Sequence, residues 1–246
     1  MDVPADVFET HVRYLTNHHR VVSMSELVRM EDGASWGEDV AVITFDDGYE
    51  DVYSHAYPIL LRYKIPAVVY LATEFIETGR PFPWTPDWAR PMSWEQVRTM
   101  VASGLVEVGS HTHSHPNLGR LDPDGIEREL STSRQLLAQR LGMEIVHFSY
   151  PMPSRVPGSF CPPEADRLAR RHFRSAVAGG YAKNYPPLSV YNLARVSIQR
   201  SDTDWLFRSA LRGYLAPYAR LSAFAHGLRS IDAKLRGARA VENVWR

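Results

Sequence analysis

Short apolar runs alternate with amphipathic segments along most of the chain. Two continuous apolar runs, at residues 40–45 and 67–72, are typical of strands buried on both faces of a parallel sheet, and the segment at 106–109 is a third strand candidate. Apolar residues at helical spacing separate these runs and predict helices over 53–63, 94–103 and 123–141. This alternation of strand and helix predicts an α/β fold with parallel strands.

The same pattern continues toward both ends of the chain. A helix over about 7–15 and a strand near 20–24 are predicted before the first run. Later strand candidates lie at 145–150, 175–178 and 193–198, and later helix candidates at 206–211 and 219–235. Polar residues follow several of the strands, and strand carboxyl ends are where α/β barrels carry their active sites.

Length and composition are those of a globular protein with one principal core. The 246 residues are 44% hydrophobic and 23% charged, with a formal net charge of zero, which argues against a nucleic-acid-binding surface. A single cysteine, Cys161, excludes an intramolecular disulfide and a multi-cysteine zinc cluster. The sequence shows neither a signal-peptide pattern nor a membrane-spanning apolar run, so we expect a cytoplasmic protein or one peripheral to the membrane.

Basic residues are concentrated near the C-terminus. From Trp205 to Arg246 there are eight basic and two acidic residues, a net charge of +6. We therefore predict a basic helical extension over 213–246, following the principal domain over 1–212. Contact with an anionic membrane or a partner enzyme is one interpretation of this tail. The alternative is a solvated helix whose apolar residues pack back onto the domain.

Two strand ends carry residues that suit a metal site. Asp47 follows the run at 40–45, and His111 and His115, four residues apart, follow the segment at 106–109. Two imidazoles and one carboxylate bind a hard or borderline divalent metal and leave coordination positions open. Asp46 precedes Asp47, and because neighbouring side chains at a strand end point in different directions, we expect Asp46 to face the substrate water.

The alternative interpretation of the histidine pair is an incidental one on a surface helix or loop. Gly48 and Pro116 follow the two strand ends at points where tight backbone geometry is needed, which favours the metal hypothesis.

Two short motifs resemble a known family. Thr44-Phe45-Asp46-Asp47-Gly48 resembles the first motif of the polysaccharide deacetylases, which share the chitooligosaccharide deacetylase homology domain and form carbohydrate esterase family 4. The segment from His111 to Pro116 resembles their second motif, His-Ser/Thr-x-x-His-Pro. The motifs are about 65 residues apart and follow predicted strands, and the similarity extends roughly over 7–211.

The resemblance implies a distorted, incomplete (β/α) barrel of about seven parallel strands. It implies a hydrolase that removes the acetyl group from an N-acetylated sugar in a polysaccharide, oligosaccharide or glycan precursor. By motif position, Asp47, His111 and His115 bind one divalent metal ion, expected to be zinc, with cobalt, nickel or manganese as alternatives. Asp46 is the general base.

The third motif of the family is altered in this chain. Many relatives carry an arginine and a glycine where this chain has Phe148-Ser149-Tyr150-Pro151-Met152-Pro153. We predict that Arg195 orients Asp46 in place of the missing arginine, with a surface ion pair as the alternative. The backbone N–H of Met152 is the candidate oxyanion donor.

The sequence does not single out one residue as the acid that protonates the leaving amine, and it offers several candidates for contacts with the sugar. The histidine motif that ends many relatives is missing, so the general acid is open among His113, His147, His172, His226, Asp46 and the metal-activated water. Candidate substrate contacts are Tyr49, Tyr150 and Trp84, although core packing is the common role of such aromatic residues.

Two other functions fit the same sequence. One keeps the fold and the metal but acts on a small N-acetylated molecule or a cyclic amide. The other is a non-catalytic glycan-binding protein, but such a protein has no need of both Asp46 and Asp47.

Overall fold

The computed structural model describes residues 3–30, 39–85, 89–151, 162–179, 183–185, 188–199 and 202–213. Five parallel strands form a curled sheet in the order β3-β4-β5-β6-β7. These strands are β3 (Ile43–Phe45), β4 (Ala67–Leu71), β5 (Val106–Ser110), β6 (His147–Ser149) and β7 (Ser175–Val177). Two further short strands, β1 (Arg20–Val21) and β2 (Val40–Ala41), pair in parallel beside the sheet.

Helices connect the strands in the alternation that the sequence predicts. They are α1 (Ala5–His18), α2 (Met24–Met30), α3 (Tyr57–Tyr63), α4 (Thr73–Thr78), α5 (Trp94–Ala102), α6 (Pro123–Leu141), α7 (Pro163–His172) and α8 (Asp204–Leu211). A π-helical turn over Val52–Ala56 leads into α3, and a short 3-10 turn over Leu118–Arg120 precedes α6. The predicted α/β fold with an incomplete barrel is confirmed.

The seven strands of the described residues are divided between two sheets. Five share the main sheet, and the first part of the run at 40–45 pairs with β1 in a separate sheet. The predicted strand at 193–198 contacts the sheet through an isolated parallel bridge between Leu193 and Val177. The predicted helix at 219–235 and the basic extension at 213–246, apart from Gly213, lie outside the described residues.

The two faces of β4 pack against different surroundings. Ala67, Val69 and Leu71 belong to the main core, which includes buried residues of α3, α5 and α6. Val68 and Tyr70 face the opposite way and pack with Met24 of α2 and with other buried apolar residues. This burial on both faces explains the continuous apolar sequence of β4 and holds the strand ends in a fixed arrangement.

Local sequence signals define the helices next to the site. Ser93 caps α5 through a reciprocal pair of hydrogen bonds with Gln96. Asp122 accepts a hydrogen bond from the Gly125 N–H at the start of α6, and Gly142 ends that helix in the left-handed conformation. Among the helices that the structure describes, none combines the length and apolar character needed to cross a bilayer.

Candidate metal centre and active site

Three side chains from two strand ends converge at one edge of the sheet. His111 Nε2 lies 3.5 Å and His115 Nε2 lies 3.4 Å from Asp47 Oδ1. The potential ligand atoms of the three residues all lie within 4.8 Å of one another. The predicted metal set is therefore brought together, and it can hold a metal ion.

The orientation of His111 directs its Nε2 atom toward Asp47. Its Nδ1–H donates a hydrogen bond of 2.8 Å to the carbonyl oxygen of Ser149 at the end of β6. A ring that is protonated at Nδ1 presents the lone pair of Nε2, which is the form that a metal ion binds. The side chain is only 3% exposed, so this orientation is held by the surrounding core.

Asp47 and His115 show the chemistry of a cation site directly. Asp47 Oδ1 is buried and accepts no hydrogen bond from the described residues. Burial raises the pKa of the Asp47 carboxyl group and lowers the pKa of His115 to about 3, so the imidazole is neutral at ordinary pH. A carboxylate oxygen that is unsatisfied among the described residues and lies beside the Nε2 atoms of two histidines fits a divalent cation, since burial without a partner is costly.

The backbone around the site adopts sterically disfavoured conformations. Asp47, Thr112 and His115 have φ angles of 67°, 67° and 59°, in the left-handed region that residues with a Cβ rarely occupy. Gly48 follows with a φ of 92°, and an added Cβ there would lie 2.6 Å from Leu71 Cδ2. Strain of this kind concentrates at functional sites, where the surrounding packing supports it.

Arg195 reaches Asp46 as the sequence predicts. Its guanidinium donates to both carboxylate oxygens, to Oδ1 at 2.8 Å and to Oδ2 at 2.6 Å. The arginine side chain is 17% exposed, and its Nε–H also donates to the carbonyl oxygen of Ala178. This is a two-bonded, partly buried pair in which the plane of the carboxylate is fixed, unlike an ordinary surface ion pair.

The surroundings of Asp46 keep it ionised. Burial would raise the pKa of its carboxyl group, but the charge of Arg195, with hydrogen bonds from Arg195 and Ser149, holds the pKa well below its usual range. The Asp46 side chain nevertheless remains 30% exposed. Asp46 is therefore a carboxylate at any ordinary pH, and water can reach it.

Tyr49 and Trp84 lie at the metal set and contact its ligands. The Trp84 ring stacks on the imidazole of His115 with centroids 4.2 Å apart, and its Nε1–H donates to Tyr49 Oη at 3.0 Å. Tyr49 also hydrogen-bonds to Asp47. Trp84 is 39% exposed, so part of its ring packs on His115 while another part is open to solvent.

Tyr150 lies apart from this group. Its side chain is 2% exposed, its ring packs edge-on against Phe148, and its hydroxyl donates to Asp166 Oδ1 at 3.4 Å. The structure thus places Tyr150 in the core and does not bring it to the surface of the site. Met152, the predicted oxyanion donor, lies outside the described residues.

The three candidate histidines that the structure describes each have a hydrogen-bond partner. His113 is hydrogen-bonded to Thr73, His147 to Ser25 and Ser175, and His172 to Glu127. His226 lies outside the described residues. These contacts do not assign the general acid.

Three further residues organise the site, and none of them was among the site residues predicted from the sequence. Ser149 donates to Asp46 Oδ1 and accepts from Arg195, both at 3.2 Å. Thr44 Oγ1 accepts another hydrogen bond from Arg195 at 3.2 Å. Glu129 of α6 accepts hydrogen bonds from the loop between the two histidines. The position of Ser149 at a strand end was a usable signal, whereas Glu129 lies on a helix and gave none.

A family model for polysaccharide deacetylases matches residues 34–157, just over half of the chain. The chain belongs to the polysaccharide deacetylase family. The matched range includes Asp46, Asp47, His111 and His115, so the resemblance carried by the two sequence motifs is confirmed.

Two curated relatives match the chain over part of their own length. The protein YxkH of Bacillus subtilis (strain 168) is 28% identical over 152 residues, which are 61% of this chain and 50% of that protein. A poly-β-1,6-N-acetyl-D-glucosamine N-deacetylase of Staphylococcus aureus (strain MRSA252) is 32% identical over 114 residues, 46% of this chain and 38% of that enzyme. The chain thus spans half or less of the length of these relatives.

A solved structure from the deacetylases shows the same fold. The Streptococcus pyogenes deacetylase PplD, in complex with acetate, matches with a TM-score of 0.71 and 21% identity, over 85% of this chain and 87% of that one. At this level of identity the match establishes the architecture.

Proposed function

We propose that this chain is a metal-dependent hydrolase that removes the acetyl group from an N-acetylated sugar in a polysaccharide, oligosaccharide or glycan precursor. The observation that carries the proposal is an ionised carboxylate, Asp46, fixed by Arg195 directly beside a three-residue cation site. Membership of the polysaccharide deacetylase family supports it, as does the name of the Staphylococcus aureus relative.

The ion proposed for the site is zinc. Asp47, His111 and His115 would hold it, and two imidazoles with one carboxylate are a ligand set for zinc that also suits cobalt, nickel and manganese. Such an ion supplies Lewis acidity, which polarises an amide carbonyl group and acidifies water.

The proton that the reaction releases is proposed to go to Asp46. Arg195 and Ser149 occupy both acceptor positions of Oδ1 and one of Oδ2, so among the described residues one position on Oδ2 is left for a proton. Because the pKa of Asp46 is well below its usual range, Asp46 is a weak base toward ordinary water. The proposed base therefore requires water that is already acidified.

The other residues of the site have supporting roles in this proposal. Arg195 and Ser149 orient the base, and Tyr49 and Trp84 form the exposed wall against which a sugar ring can stack. Met152 remains the proposed oxyanion donor. Tyr150, predicted as a substrate contact, has no role in this proposal, since it is buried and packs against Phe148.

The test is acetate release from N-acetylglucosamine oligomers by protein freed of metal and then reloaded with zinc. We expect acetate after reloading and none from the metal-free protein. Reloaded protein that binds zinc but releases acetate only from small amides would redirect the proposal to that substrate class. Protein that binds no divalent metal and releases no acetate would favour a glycan-binding function.

A further inference from the structure

The loop between the two histidine ligands cannot hold its shape by backbone preference alone. Thr112 and His115 both lie in the left-handed region, with φ angles of 67° and 59°. Neither is a glycine, and a residue with a Cβ is disfavoured there. Because His115 itself has this conformation, whatever stabilises the loop also sets the position of a metal ligand.

Glu129 of α6 binds this loop with its carboxylate. Oε2 accepts hydrogen bonds from the backbone N–H groups of His113 at 2.9 Å and Ser114 at 2.8 Å. Oε1 accepts from the Ser114 hydroxyl at 2.7 Å. Hydrogen bonds to an ionised acceptor are stronger than neutral ones, so one side chain satisfies three donors of the loop.

Helix α6, which carries Glu129, is anchored in the core by its buried residues. α6 is 19 residues long, and its buried residues include Ile126, Leu130 and Leu137. Glu129 adjoins Leu130, which is 0% exposed in the main core. The carboxylate is thus presented to the loop from a fixed position.

The first turn of α4 binds the carbonyl oxygens of the same loop. The N–H groups of Thr73 and Glu74 donate to the carbonyl oxygens of Thr112 and His113, at 3.3 and 2.9 Å. α6 therefore accepts from the N–H groups of the loop, and α4 donates to its carbonyl groups. Of the two sets of contacts, those of α4 come from backbone N–H groups, and those of α6 come from the charged carboxylate of Glu129.

We propose that Glu129 is a positioning residue that sets the metal affinity of the site through the conformation of the loop from His111 to His115. The inference rests on the proposed metal site, and Glu129 itself provides no ligand to it. Residues that orient metal ligands from the outer shell typically change metal affinity about 10- to 100-fold when they are replaced. Glu129 acts through the backbone, so we expect the lower end of that range.

The test measures the zinc dissociation constant of the full chain by competition with a chromophoric chelator. Glu129→Ala should weaken zinc binding by about tenfold, and Glu129→Gln, which keeps one carbonyl acceptor, should weaken it less. Glu127→Ala is the matched control, because Glu127 lies on the same helix and pairs with His172 away from the loop. Its dissociation constant should stay within about twofold of the wild-type value.

Urea unfolding of the metal-free variants separates this role from a general loss of stability. Glu129→Ala with wild-type zinc affinity would overturn the proposal, as would Glu127→Ala weakening zinc binding to the same extent. If Glu129→Ala does not fold, Glu129→Gln decides, and unchanged affinity in that variant overturns the proposal. Absence of zinc binding by the wild type would instead contradict the proposed function.

Discussion

The acidity of Asp46 is the decisive property at the scale of single residues. Two hydrogen bonds from Arg195 and one from Ser149 fix the carboxylate and lower its pKa. This arrangement fixes the orientation of the carboxylate but weakens it as a base, since a strongly acidic carboxyl group accepts a proton less readily. In the proposed function, Arg195 and Ser149 therefore control both the geometry and the pH dependence of Asp46.

Arg195→Lys should move the acid limb of the pH profile to higher pH. A lysine cannot bind both carboxylate oxygens, so the pKa of Asp46 rises and the base is protonated at a pH where the wild-type base is still ionised. We expect kcat/KM to fall about tenfold near neutral pH, the equivalent of losing about one charged hydrogen bond. The profile is measured with metal content verified at each pH.

Arg170→Lys is the control for that measurement, because Arg170 makes a similar two-bonded pair with Asp166 away from the site. A profile of Arg195→Lys that matches this control would show that Arg195 does not tune Asp46.

Ser149→Ala should lower kcat about tenfold with little change in KM. The variant loses the hydroxyl that contacts Asp46 and Arg195, but the backbone carbonyl that orients His111 remains. Metal content should therefore equal that of the wild type. Ser133→Ala removes a buried hydroxyl that contacts Ser110, and it serves as the control. Loss of metal from Ser149→Ala would contradict this assignment.

The sequence could predict Asp46, Asp47, His111 and His115 because each follows an apolar strand closely. Arg195 was predicted from charge and the missing motif arginine. Ser149 lies at a strand end, which is a local signal, but its contact with Asp46 joins residues 103 positions apart and could not be read from that position. Glu129 lies 15 and 16 residues from its partners, on a helix face that sequence spacing cannot orient toward the loop.

At the scale of elements, close packing between β4 and β5 brings the site together. Gly109 of β5 lies under the ring of Tyr70, where an added Cβ would be 2.5 Å from Tyr70 Cδ1 and 2.8 Å from the His147 carbonyl oxygen. Glycine is therefore required one residue before Ser110 and two before His111. Because Tyr70 is fully buried, it has no room to move away.

Gly109→Ala should lower the free energy of unfolding by about 1–3 kcal/mol, the usual effect of overpacking a core. Urea unfolding measures it. Gly119→Ala is the control, since the nearest atom to its added Cβ is Asn117 Oδ1, at 3.3 Å in a surface turn. Equal stability of Gly109→Ala and the wild type would show that the β4–β5 contact is looser than described.

Secondary structure was predictable where the hydrophobic period was strong. The buried β4 and the capped α6 agree with the predicted segments, whereas α2, α4 and α7 were not predicted. α7 is strongly polar and buries only Ala165, Leu168 and Ala169, so it has few apolar residues to reveal its period. The extent of the main sheet also depends on strand pairing, which the pattern of one strand cannot specify.

At the scale of the whole molecule, the metal set joins two strands that are not neighbours. Asp47 follows β3 and the histidines follow β5, with β4 between them. An ion bound to all three would therefore link two strands that do not pair with each other. An ion that binds the folded chain but not the unfolded chain must raise the free energy of unfolding.

Zinc at about 100 times its dissociation constant should add about 2.7 kcal/mol to the free energy of unfolding, with a higher Tm. His111→Ala should show almost none of this increase, because it lacks one of the three ligands. Thermal unfolding with and without zinc gives both values. A similar increase in wild type and His111→Ala would place the ion elsewhere.

The role of Asp46 is tested most directly by acetate release from zinc-loaded Asp46→Asn, with zinc counted in the same sample. We expect about one zinc per chain and a rate at least about 100-fold below wild type, because the general base is lost while the ligands remain. Wild-type acetate release from Asp46→Asn, with zinc bound, would contradict the assignment of Asp46 as the base.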